Sequence, residues 1–132
     1  MPINQSFQLP ATAQDLPLAA SAKSPLYLVF VSSIHPETGL SWCPDVRAAM
    51  PIIEAAFNKD ERKGLELGIV EVGQRPEWKE PTNVFRTQWN VHNVPCLVRY
   101  ERKGEDGSVV ETGRMIEEEF LKEGKLDEFL SA

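Results

Sequence analysis

The segment Pro25-Leu26-Tyr27-Leu28-Val29-Phe30-Val31 is almost continuously apolar, the pattern of a central strand buried on both faces. Leu65 to Val72 repeats that character and predicts a second strand. Between them, Val46, Met50, Ile53 and Phe57 recur at helical spacing, which predicts a helix over Pro44 to Asn58. Pro44 falls at the first helical position, where its missing N–H costs nothing. Pro51 sits inside the same pattern and is expected to kink it.

Elsewhere the pattern is weaker. Residues 1 to 11 are mostly polar, with a short edge strand expected around Ser6 to Leu9. Ala11 to Lys23 is Ala-rich and predicts a helix weakened by Pro17. Pro76 to Trp89 predicts a polar helix with Trp78, Phe85 and Trp89 available for packing. The last third predicts a strand over Val94 to Tyr100, a turn at Gly104 to Gly107 and a strand over Ser108 to Thr112. A terminal helix over Glu117 to Leu130 follows, with Phe120, Leu121, Leu126 and Phe129 toward the core. Alternating strands and helices that end in a hairpin and a helix predict an α/β fold, a mixed central sheet with helices on both faces.

Composition bounds this picture. The 132 residues suit a single domain over 1–132, and an apolar fraction of 42% suffices for a core. The formal net charge of −6 argues against nucleic acid or an anionic membrane surface as the main partner. The apolar stretch from Leu26 to Ile34 is too short to span a bilayer. The first ten residues hold no Lys or Arg and no apolar h-region. Only two cysteines are present, so a reducing, cytoplasmic setting is expected. His35 and His92 form no metal-binding spacing with them, and no glycine-rich phosphate loop occurs. Neither a metal nor another cofactor is expected.

The candidate chemistry centres on Ser41-Trp42-Cys43-Pro44-Asp45. Cys43 falls between the first buried strand and the helix that Pro44 opens. The free N–H groups of a helix start favour thiolate over thiol, and the thiolate is the species that attacks disulfides. Asp45 acts the other way, since a nearby carboxylate disfavours a second negative charge. Trp42 offers an apolar flank for a substrate. The bland alternative makes Cys43 a small buried hydrophobe. A second feature is Asn93-Val94-Pro95-Cys96, a proline at the head of a strand that reads as central. Either the Val94–Pro95 bond is cis or the strand lies at an edge. His35, in the loop before Cys43, is read as solvated unless it turns toward the thiol. The acidic run from Glu117 to Glu119 is read as a solvated face.

Two segments resemble the thioredoxin superfamily and, within it, the thioredoxin domain-containing protein 17 family. The first is Ser41-Trp42-Cys43-Pro44-Asp45, where that family reads Ser-Trp-Cys-Pro-Asp-Cys. The second is Val72-Gly73 with Pro76, Trp78-Lys79, Pro81, Asn83, Phe85-Arg86, Val94-Pro95 and Tyr100. The resemblance implies a thioredoxin-like fold, a nucleophilic Cys43, and Pro95 as a cis-proline facing it. It also implies disulfide reduction on small or selected substrates such as cystine. The sequence departs from the family at Val46, which occupies the position of the second cysteine. A second thiol normally resolves the mixed disulfide, and Val46 offers none. Three readings stand open. Cys43 works as a monothiol, with glutathione or a protein thiol partner resolving the adduct; or Cys96 supplies the second thiol; or the domain is a catalytically silent binding module.

Overall fold

The computed structural model describes residues 3–5, 7–18, 24–62, 64–103 and 107–131. Strand β2 (Leu26–Val31) is buried along its whole length. It pairs in parallel with β3 (Glu66–Glu71) and antiparallel with β4 (Cys96–Arg102). A two-residue β1 (Ile3–Asn4) extends the sheet beyond β3, and β5 (Val109–Ile116) closes the other side against β4. The order β1-β3-β2-β4-β5 is therefore a mixed sheet with β2 at its centre. Together with its helices it is an α/β thioredoxin-like fold.

Alternation along β2 sends Tyr27 and Phe30 to opposite faces. Tyr27 meets Phe57 and Phe129 edge-on, with ring centroids 5.3 and 6.1 Å apart. Phe57 ends α1 (Pro44–Phe57), which buries Val46, Ala49 and Ile53 on the same side. Phe129 belongs to α4 (Lys125–Ser131). On the opposite face Phe30 meets Phe85 and Trp89, and Trp89 stands perpendicular to Tyr100. Helix α1 runs unbroken through Pro51, which faces outward.

Several elements differ from the sequence expectation, and backbone chemistry explains most of them. The expected helix over Ala11 to Lys23 is a single 3-10 turn at Ala13–Asp15, with residues 19–23 outside the described part. Pro17 disfavours a helical Leu16, which is extended at φ −60° and ψ 144°. Gln14 uses its amide to bond both the N–H and the C=O of Val109, tying this turn to β5. The edge pairing lies at Ile3–Asn4 instead of Ser6 to Leu9; Ser6 is outside the described residues.

The expected helix from Pro76 to Trp89 divides into α2 (Arg75–Lys79) and α3 (Val84–Thr87). Pro81 holds Glu80 extended at ψ 126°, and Asn83 restarts the chain by accepting the Phe85 N–H at 2.9 Å. The terminal helix is likewise a 3-10 turn at Glu117–Leu121 followed by α4, with Gly124 at φ +76° between them. Leu121 is exposed and does not reach the core. In the hairpin turn, residues 104–106 lie outside the described part. Among the described residues no helix is long and apolar enough to cross a membrane.

Candidate functional site

The end of β2 and the start of α1 meet at two serines. Ser32 is fully buried, and its Oγ accepts the Cys43 N–H at 3.3 Å. The Ser33 carbonyl accepts the Trp42 N–H, while its Oγ accepts the Gly73 N–H at 2.9 Å. Gly73 has φ +102°, a conformation that favours glycine. Its carbonyl accepts the Trp42 indole N–H at 2.9 Å. Arg75 stacks over the Trp42 ring at 4.9 Å and donates to the Trp42 carbonyl. Trp42 is thus held at its backbone, at its indole N–H and on one ring face.

Cys43 is the N-cap residue of α1, with extended backbone at φ −94° and ψ 121°. It is half-buried, so its sulfur is neither in the core nor freely solvated. The thiol donates to the Val94 carbonyl at 3.8 Å, a sulfur-length contact. The Val94–Pro95 peptide bond is cis, which resolves the two readings of this proline. The Pro95 carbonyl in turn accepts the Glu117 N–H at 3.0 Å. Glu117 has φ +50°, an uncommon value for a side-chain-bearing residue.

A cleft of about 270 Å³ opens beside the sulfur. Trp42, Cys43 and Val94 form one wall, and Lys79, Arg86 and Glu117 supply its charges. Arg86 lies on the Trp78 ring at 4.0 Å and gives its Nε–H to the Trp78 carbonyl at 2.7 Å. His92 also borders the cleft and bonds Asn90 at 2.8 Å.

The residues singled out from sequence therefore separate. Trp42, Cys43 and Val94 come together, with Pro95 buried behind Val94. Pro44 and Asp45 stand exposed on the first turn of α1 and do not line the cleft. Val46 points into the core with no exposed surface. Cys96 is a free thiol that heads β4 and is also wholly buried. Burial pushes its thiol up to about 11. It lies on the Tyr100 side of the strand, the face opposite α1. His35 is turned into its own loop, where Nδ1 accepts the Glu37 N–H. Among the described residues no three His, Cys, Asp or Glu side chains gather closely enough to hold a metal ion.

Lys79 and Arg86 enter the sequence pattern only through the family resemblance, His92 only as a histidine without metal spacing and Glu117 as part of a solvated acidic face. The structure places all four on the cleft. They come from α2, α3, the loop before β4 and the turn after β5, and the break between α2 and α3 at Pro81 is where Arg86 turns to reach Trp78. A continuous helix would have spread Lys79 and Arg86 along a solvated face. The sole sequence signal for a shared cleft was the density of cations between residues 75 and 86 in an acidic chain.

A family model for the thioredoxin domain of thioredoxin domain-containing protein 17-like proteins matches residues 8–123. A thioredoxin domain-containing protein of Schizosaccharomyces pombe is 34% identical over 105 residues, covering 80% of this chain and 82% of that protein. Thioredoxin domain-containing protein 17 of Homo sapiens is 39% identical over 62 residues, 47% of this chain and 50% of its own length. The thioredoxin-like protein Clot of Arabidopsis thaliana is 29% identical over 96 residues, 70% of this chain and 71% of the plant protein.

Proposed function

The chain belongs to the thioredoxin domain-containing protein 17-like family, and from that premise we propose that it is a monothiol thiol–disulfide oxidoreductase with Cys43 as nucleophile. A redox function of thioredoxin type is common to the family; the single-thiol mechanism is the reading advanced here. One observation carries it. The half-buried Cys43 sulfur sits on the open side of the cis-Pro95 loop, while Val46 and Cys96 are both sealed in the core.

In the first half-reaction the Cys43 sulfur attacks one sulfur of a disulfide. The Cys43–substrate disulfide forms, the substrate's own S–S bond breaks, and the departing thiolate takes up a proton. In the second, an external thiol of the glutathione class or a protein thiol attacks the substrate sulfur of the adduct and expels Cys43. Per cycle one external thiol is consumed and one substrate thiol released. The other half of the substrate leaves as a mixed disulfide with the external thiol, and a second external thiol completes the reduction off the enzyme. Val46 has no sulfur with which to shorten the cycle. Trp42, pinned by Gly73 and Arg75, supplies a rigid apolar wall beside the reacting sulfur.

Incubation with glutathione disulfide or cystine, followed by peptide mass spectrometry, tests the proposal. The expected result is an adduct on Cys43 that added glutathione removes, with Cys96 unmodified. An unreactive Cys43, or an adduct on Cys96 alone, rejects the mechanism. An adduct that no thiol releases would leave a binding module.

A further inference from the structure

The cations of this acidic protein are unevenly employed. Away from Cys43, Arg62 is paired with Asp127, Arg99 with Glu101 and Arg114 with Glu111. Lys59, Lys103 and Lys125 also face carboxylates. Arg102 instead gives its N–H groups to the Leu18 and Gly107 carbonyls, and Lys122 has no carboxylate within ion-pair distance among the described residues. Near Cys43 such cations are grouped. Arg75, Lys79 and Arg86 have no carboxylate within ion-pair distance among the described residues. Arg75 and Arg86 are instead held by aromatic rings and backbone carbonyls, at Trp42 and Trp78 respectively. Such contacts fix a guanidinium in place without neutralising it. Glu117 is the acidic group that lines the cleft, set against Lys79 and Arg86. Asp45 stands outside it on α1.

We propose that Lys79 and Arg86 form an anion-selecting subsite, so that the Cys43 cleft favours disulfides carrying a carboxylate close to the sulfur. The inference rests on the exchange reaction proposed above and names the substrate class for it. The Arg86 guanidinium, 4.0 Å from the Trp78 ring centroid and bonded there through its Nε–H, keeps its terminal N–H groups for a carboxylate. The Lys79 ammonium on the same cleft adds charge without demanding one geometry. The net charge of −6 makes this selection meaningful. The molecule as a whole repels anions, and the local field at the cleft must reverse that repulsion over the last few ångströms. The same chemistry is present in a small dicarboxylate disulfide and in an acidic protein segment bearing a disulfide.

The test compares the rates at which Cys43 forms adducts with dithiodipropionate, hydroxyethyl disulfide and cystamine, which are anionic, neutral and cationic. Each rate is divided by that of the same disulfide with a free small thiol, which removes intrinsic reactivity. The anionic disulfide is expected to lead the neutral one by about fivefold and the cationic one by more, with the lead lost at high salt. In Lys79→Gln/Arg86→Gln the anionic-to-neutral ratio should fall to about one. A ratio that is the same in both proteins, or a variant that slows with all three disulfides alike, overturns the subsite.

Alkylation by iodoacetate against iodoacetamide separates this proposal from the one beneath it. If Cys43 takes no disulfide yet prefers iodoacetate in the wild type and not in the variant, the exchange mechanism fails and the subsite stands. Oxidised peptides with acidic or neutral residues flanking the disulfide then decide the source. A preference for the acidic peptide larger than that for the small dicarboxylate identifies a protein substrate.

Discussion

Cys43 and Val46 stand three residues apart, at the cap and in the first turn of α1, so their side chains share one face of the helix. That proximity explains how a second thiol at position 46 would work and what its loss removes. Val46→Cys should allow a bridge after a small shift at the cap, since i and i+3 Cβ atoms lie about 5–6 Å apart and a disulfide wants about 3.5–4.5 Å. The buried valine loses little volume in the exchange, for a cost of about 1 kcal/mol. Mild oxidation of this variant should remove two titratable thiols as an internal disulfide, read as a loss of two hydrogens by intact mass. NADPH-linked turnover with thioredoxin reductase should then appear in the variant and be absent from the wild type. An internal disulfide without turnover would show that more than one residue separates this site from dithiol chemistry. Cys43, Trp42 and Pro95 were legible from sequence because their placement is fixed locally, by a strand end, a helix start and an X-Pro bond. Lys79, Arg86, His92 and Glu117 were not, because four separate elements must meet before they share a cleft.

The elements themselves were legible where burial alone decides them. The strands β2 and β3 and the helix α1 fall within a residue of their expected ends, since their apolar periods are strong. The polar segments failed at Pro17, Pro81 and Gly124, where one backbone restriction outweighs a favourable composition. Close packing at one strand position gives a prediction that propensity would miss. Gly68 in β3 lies under Phe7, and an added Cβ would come within 2.6 and 2.7 Å of the Phe7 ring and 2.9 Å of Leu28 Cδ2. The N-terminal segment rests on the sheet through this contact. Gly68→Ala should therefore destabilise the protein by about 1–3 kcal/mol despite the better strand entropy of alanine. Urea unfolding measures it. Phe7→Ala in the same chain should recover part of the loss, because the clash needs the ring. Equal and additive losses would mean that the two residues do not meet.

At the scale of the molecule, α1 and α4 cover one face of the sheet but come from distant parts of the chain. A charged junction joins them. Arg62, just beyond α1, is buried and donates to Asp127 of α4 at 2.7 Å, while a second N–H bond reaches the Ala56 carbonyl. Lys59 approaches the same carboxylate at 3.0 Å, but both of those groups are half-exposed, so that pair adds little. Arg62 is the member that cannot return to water without unpacking the helices. Its bond to the carboxylate, ahead of that from Lys59, holds the Asp127 carboxyl below its ordinary value of 3.8. The sign follows from linkage. A carboxyl more acidic in the folded state stabilises that state above its unfolded value, and the gain disappears as pH falls through the lowered one. Asp127→Asn should lower the urea midpoint at neutral pH, because it leaves a buried guanidinium without its counter-charge. As pH falls below 3.8 and through the lowered value the wild type loses the same interaction by protonation, so the two midpoints should converge. Added salt should narrow the neutral-pH gap only slightly, since the Arg62 end of the pair is shielded from solvent. A gap that stays constant from neutral to acid pH would mean that the carboxylate's charge plays no part in joining α1 to α4.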